Sequence, residues 1–186
     1  MMRLFFGMPL APAPTAQLEA VMTRVPLQRG WRPLNSQNWH ITLSFLGDTD
    51  GRQLNTLIEL GERIAADHLA TAVVLDNLQW WPDANRPRLL AAVASNSTPL
   101  QAMRKQLNAG LREAGVNFDS KPLRAHVTLL RLERGIHVDD LSVPPCDIKV
   151  ECDELALFVS EKIDREKRYR PVWRQMLESP PPYGKR

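Results

Sequence analysis

The chain has 186 residues, 44% apolar and 24% charged, enough to bury the core of one domain and too apolar for disorder to be the default. Its longest apolar runs, such as Leu89–Ala94, fall far short of the roughly 20 residues a membrane-spanning helix needs, so no such helix is expected. The net charge is only +3, but 18 of the 24 basic residues are arginine, a side chain whose planar fork suits bidentate phosphate contacts; the charge is compatible with a polyanionic substrate without requiring one.

In chain order, Arg3–Pro9 reads as a first strand, with Leu4, Phe5, Phe6 and Met8 apolar and a proline at its end. Pro14-Thr15 opens a helix that runs to about Leu27, and Gly30 and Pro33 mark a loop. Asn38–Leu46 is expected to be a strand, residues 51–67 a helix, and Leu69–Trp81 a strand that Pro82-Asp83-Ala84-Asn85 turns into another at Arg88–Ser95. A third helix spans Pro99–Ala114, and Leu123–Leu132, Cys146–Ser160 and Arg170–Met176 complete the strands. No glycine-rich nucleotide fingerprint follows any strand, which favours an α+β fold with antiparallel sheets over a doubly wound one. Residues 1–178 are expected to form one domain, and the proline-rich residues 179–186 a disordered tail.

Two segments resemble each other: Trp39-His40-Ile41-Thr42-Leu43 and Ala125-His126-Val127-Thr128-Leu129. The chain holds eight threonines and four histidines, so two histidines each gaining a threonine two places later is a rare coincidence. In a strand, residues two apart share a face. His40, Thr42 and Ser44 are therefore expected on one face and Ile41, Leu43 and Phe45 on the other, with Arg124, His126 and Thr128 set against Ala125, Val127 and Leu129 in the second copy. If the two strands face one groove, two imidazoles and two hydroxyls converge on a small volume. Histidine, with an ordinary pKa near 6.5, can take or give a proton at neutral pH, and hydroxyls or a guanidinium can hold phosphate oxygens. This set suits the opening of a cyclic phosphate and needs no metal to generate the nucleophile.

At these residues the chain resembles the 2H phosphoesterase superfamily, named for two His-x-Thr-apolar motifs. It is most similar to the LigT/ThpR-like branch of RNA 2′,3′-cyclic phosphodiesterases. The resemblance takes in Arg3-Leu4-Phe5-Phe6, the run Asn38–Gly47, and His126-Val127-Thr128-Leu129-Leu130-Arg131. It implies a bilobal α+β fold, two pseudo-symmetric antiparallel sheets with flanking helices and a central cleft. It also implies cleavage of the P–O3′ bond of a terminal 2′,3′-cyclic phosphate to leave a 2′-phosphate. His40 and His126 carry over as the proton-transfer pair, with His40 as the acid on O3′ and His126 as the base on water. Thr42 and Thr128 carry over as phosphate-oxygen donors. Arg131 matches an arginine that closes the second motif in relatives, and its odd offset from His126 requires a strand end or a bulge before it can reach the same site. Ala125 departs from the family, which often has proline there.

The expected substrate is an RNA end or a cyclic nucleotide, with no cofactor and no metal, in a cytoplasmic monomer. Two alternatives share the site: a 2′–5′ RNA ligase running the reverse reaction, and a non-catalytic RNA-end-binding module. A zinc hydrolase fits least, because neither motif has a second ligand at zinc spacing. Cys146 and Cys152 are read as reduced thiols, and His68 and His137 as surface residues. Phe5, Trp80 and Trp81 are read as core, with base stacking as the alternative. The charged run Asp164–Arg170 is expected to be a solvated loop, with RNA-backbone contact as the alternative.

Overall fold

The computed structural model describes residues 1–138, 140–163 and 166–181. Ten strands and three helices follow one another as β1 (Met2–Pro9), α1 (Pro12–Met22), β2 (Trp31–Pro33), β3 (His40–Thr49), α2 (Leu54–Asp67), β4 (Thr71–Leu75), β5 (Asn77–Trp81), β6 (Leu89–Val93), α3 (Thr98–Glu113), β7 (His126–Leu132), β8 (Ile148–Cys152), β9 (Glu154–Ile163) and β10 (Glu166–Met176). The strands build two four-stranded antiparallel sheets, in the orders β10-β9-β1-β3 and β2-β7-β6-β5, with β4 and β8 as a separate pair. The bilobal α+β fold expected from the motif pair is the fold observed. β3 and β7, the two motif strands, touch where the sheets meet.

Burial explains the placement of β1 inside its sheet. Leu4, Phe6 and Met8 enter the main core, which also holds Leu57, Leu60 and Ile64 of α2 and Leu100, Met103 and Leu107 of α3. Phe5, between them, points to the other face and packs with Ala156 and Phe158 in a second small cluster flanked by Phe45 and Tyr169. A strand covered on both faces reads as a continuous apolar run, and Leu4–Phe6 is one. Gly7 sits where β1 and β3 are closest: a Cβ there would lie 2.8 Å from the Ile41 carbonyl oxygen and 3.5 Å from Cδ2 of His40.

Four sequence expectations are corrected. The first helix begins at Pro12 and ends at Met22, and the stretch read as loop contains the short strand β2, which pairs with β7. The long strands expected over Leu69–Trp81 and Cys146–Ser160 each divide, at Asp76 and Asp153. Asp76 turns the chain between two sheets while its carboxylate accepts from the Ser95 hydroxyl and amide. The charged run before Met176 is no loop, since β10 starts at Glu166; Arg170 there pairs with Glu161, and Asp164 and Arg165 lie outside the described residues. Most of the expected disordered tail, residues 182–186, also lies outside the described residues.

Ser44 is the fourth correction, and it has one local cause. Phe6 pairs with Ser44 and Gly7 with Thr42, so Leu43 is an extra residue that bulges β3. The bulge reverses the alternation: Ser44 turns inward, is 1% exposed, and donates to Asn108 Oδ1 at 2.7 Å, while Phe45 turns toward the cleft. β7 repeats the device, since Leu90 pairs with Leu130 and Ala91 with Thr128, leaving Leu129 extra. There the reversal carries Arg131 onto the face of His126, which meets the requirement its odd offset imposed.

Candidate active site

His40, Thr42, His126, Thr128 and Arg131 all line one cleft of about 330 Å³. The sequence singled out all five, and the two bulged strands bring them together. Each imidazole is held in the same way. Nδ1 of His40 donates to the carbonyl oxygen of Asn38 at 2.7 Å, and Nδ1 of His126 to that of Arg124 at 2.7 Å. A neutral ring with its proton on Nδ1 leaves Nε2 as the lone-pair nitrogen. The Thr42 hydroxyl donates to Nε2 of His40 at 3.0 Å.

The walls differ. Phe5 lies 4.7 Å from the His40 ring between centroids, Tyr169 meets it edge-on at 5.0 Å, and Phe158 backs it at 5.7 Å. Trp81 covers His126 at 4.4 Å and is itself held from the far side: its indole and Arg124 both donate to Gln79 Oε1, and the Arg124 guanidinium lies 4.2 Å from the ring centroid. Of the three aromatics weighed for base stacking, Phe5 lines the cleft, Trp81 braces His126, and Trp80 is buried against Trp31. His68 bonds Gln106 at the surface and His137 is exposed in the loop after β7, both apart from this cleft.

Charge in the cleft is one-sided. Arg3, Arg131 and Lys167 line it, and among the described residues no carboxylate does. Burial pushes His40 down to about 4, against the opposing pull of the Asn38 carbonyl, and the charges of His126 and Arg131 lower it further. His126 is lowered for the same first reason, with Arg124 and Arg131 adding to it. Both rings are therefore neutral at pH 7. Burial and then the neighbouring Arg131 and Arg3 likewise lower Lys167. Among the described residues there is no group of three or more His, Cys, Asp or Glu side chains placed to hold a metal ion. Cys146 and Cys152 are free and buried, and burial pushes their thiols up to about 11 and about 12.

The depressed His40 value has a consequence for stability. The unfolded chain protonates this residue near pH 6.5 and the folded chain only near 4, so stability falls as pH drops through that interval. Urea unfolding at pH 7 and pH 4.5 should show wild type losing about 2 kcal/mol more than His40→Gln does. Equal losses in the two proteins would contradict the assignment of a buried neutral ring.

Several further residues reach the site, Lys167 among them from the charged run weighed for RNA-backbone contact. Lys167 and Tyr169 arrive on β10, and Asn38 ties them to the His40 strand: its side chain donates to the Lys167 carbonyl at 2.9 Å and accepts from the Tyr169 amide at 3.0 Å. Arg104, on α3, holds the β3 bulge by donating from Nε to the Leu43 carbonyl at 2.8 Å and from its terminal nitrogen to that of Asp119 at 3.1 Å. In β7 the Leu34 amide does the equivalent work on the Leu129 carbonyl at 2.8 Å. Arg104→Met should cost about 2 kcal/mol of stability and lower kcat more than it raises KM, because it loosens the strand carrying His40 and Thr42 without touching substrate. A stability loss with unchanged kcat would show that the bulge does not need this support.

Comparison with known proteins agrees with the geometry. The model of the family described as "LigT like Phosphoesterase" matches residues 9–91, which include the first motif. An RNA 2′,3′-cyclic phosphodiesterase of Thermus thermophilus is 32% identical over 136 residues, covering 70% of this chain and 68% of its own. One from Bacillus subtilis is 23% identical over 175 residues, covering 93% and 95%. A Thermus thermophilus crystal structure superposes with a TM-score of 0.82 at 27% identity, over 96% of this chain and 99% of that one. A motif pair on two bulged strands and relatives alike in sequence and in fold lead to one assignment: this chain belongs to the LigT-like phosphoesterases of the 2H superfamily.

Proposed function

We propose that the chain is a metal-independent phosphodiesterase that hydrolyses terminal 2′,3′-cyclic phosphates on RNA, with His40 and His126 as its acid–base pair. The observation that carries this reading is the pairing of two Nδ1-anchored imidazoles with three cations in a cleft that no carboxylate lines among the described residues. The names of the Thermus and Bacillus relatives point the same way.

The reaction follows from the charges. At pH 7 both imidazoles are neutral, which suits a base but not an acid. A bound cyclic phosphate brings one negative charge, offsets Arg131, and makes it easier for one ring to hold a proton. The other ring accepts a proton from water through Nε2 as the water oxygen attacks phosphorus in line. The P–O3′ bond breaks, O3′ takes the proton of the acid imidazole, and the phosphate stays on O2′ as a monoester. Protonation of His40 at Nε2 frees the Thr42 hydroxyl, and Thr42, Thr128 and Arg131 then donate to the non-bridging oxygens, where charge grows in the transition state. His40 is assigned as the acid and His126 as the base.

The catalytic unit is taken as residues 1–178 acting as a monomer. Two free, buried thiols fit a reducing cytoplasm, and among the described residues no helix is long and apolar enough to cross a membrane. The test of the function is product analysis on an oligonucleotide ending in a 2′,3′-cyclic phosphate. A 2′-phosphate is the expected product; a 3′-phosphate would mean that the wrong P–O bond has been assigned, and no turnover would overturn the activity.

A further inference from the structure

Beside the reaction cleft lies a second, larger hollow of about 630 Å³. The two are not independent, since Leu34, Asn38, Arg131, Lys167 and Tyr169 line both. Beyond that shared wall the second hollow is lined by Arg32, Pro33 and Asn35, and again by no carboxylate among the described residues. Arg32 is already committed, because Glu133 accepts from its Nε at 2.7 Å. Arg131 and Lys167, at the junction, have no ion-pair partner among the described residues.

The charge count exceeds what one cyclic phosphate needs. That group carries a single negative charge, yet Arg3, Arg131 and Lys167 all line the cleft. Lys167 is lowered first by burial and then by the charges of Arg131 and Arg3, which repel its own. A second anionic group bound at the junction would offset that repulsion. Lys167 is also held in place. Asn38 grips the β10 backbone at Lys167 and Tyr169 with its side chain, while its own carbonyl anchors the His40 ring. Asn38 therefore links the reacting imidazole directly to the junction. Pro33, Leu34 and the Tyr169 ring give the second hollow an apolar wall of the kind on which a sugar or base rests.

We infer that the second hollow is a subsite for the penultimate nucleotide of a single-stranded RNA, and that Lys167 binds the phosphodiester joining it to the terminal, cyclic-phosphate-bearing nucleotide. This inference rests on the proposed function and narrows its substrate class. The enzyme selects RNA chains over free nucleoside 2′,3′-cyclic phosphates, and it does so through the charge of a phosphate that does not react.

The test uses two dinucleotides ending in a 2′,3′-cyclic phosphate, one with a natural internucleotide phosphodiester and one with a neutral methylphosphonate at that link. Wild type should favour the charged substrate by about tenfold or more in kcat/KM, and Lys167→Met should reduce the preference to within about threefold. The preference is a ratio within each protein, so partial misfolding of the variant does not affect it. Equal turnover of the two substrates by wild type would overturn the subsite while leaving the phosphodiesterase reading intact. A preference that survives in Lys167→Met would overturn the role of Lys167. No turnover of either substrate by wild type would end both proposals.

Discussion

His40→Ala and His126→Ala are each expected to lower kcat on 2′,3′-cyclic-phosphate RNA by about 10²–10⁴-fold, the usual worth of a positioned acid or base. Both side chains are partly buried and held through Nδ1 to a backbone carbonyl, so each can be removed without opening the main core. The double variant should be little slower than the slower single one, because the two rings serve a single concerted step and their losses do not add. Steady-state kinetics on a defined oligonucleotide, with circular dichroism to check the fold, tests this. Full activity in either single variant would remove that ring from the chemistry.

A sulfur atom in place of the bridging O3′ should restore His40→Ala to within about tenfold of wild type while leaving His126→Ala slow. A thiol has a pKa of about 8.5, so a thiolate leaves without being protonated and the acid becomes dispensable. The base is still needed to activate water. The opposite pattern, rescue of His126→Ala alone, would exchange the two roles. Rescue of neither would remove general-acid assistance from the mechanism. The experiment is needed because the pseudo-symmetry of the two motifs gives both rings the same anchor.

The active-site core is legible in the sequence because it is local. A His-x-Thr pair in a strand fixes an imidazole and a hydroxyl on one face whatever else the chain does, and the repeat identifies the second strand. Arg131 needed more than the repeat. Its route into the cleft depends on Leu129 being an extra residue, and a leucine in a bulge looks the same in sequence as a leucine in a regular strand. The same ambiguity at Leu43 is why period-2 reading puts Ser44 on the wrong face. Asp76 divides what reads as one strand because its carboxylate finds Ser95, a partner that folding alone brings near. Lys167 is marked in the sequence only as part of a charged run, and Tyr169 not at all. They reach the cleft because β10 adds to β9, β9 to β1 and β1 to β3, an order set by long-range strand pairing. Their link to His40 runs through the side chain of Asn38, which the sequence reads as the first residue of the motif strand with no sign of a partner on β10.

The central claim is that two imidazoles carry the proton transfers without a metal. Its most direct test is the rate of opening of a 2′,3′-cyclic-phosphate oligonucleotide across pH 4–9 in excess EDTA. Full turnover with a bell-shaped profile, lost when either histidine is replaced, is the predicted result. Turnover that EDTA abolishes and zinc restores would contradict it.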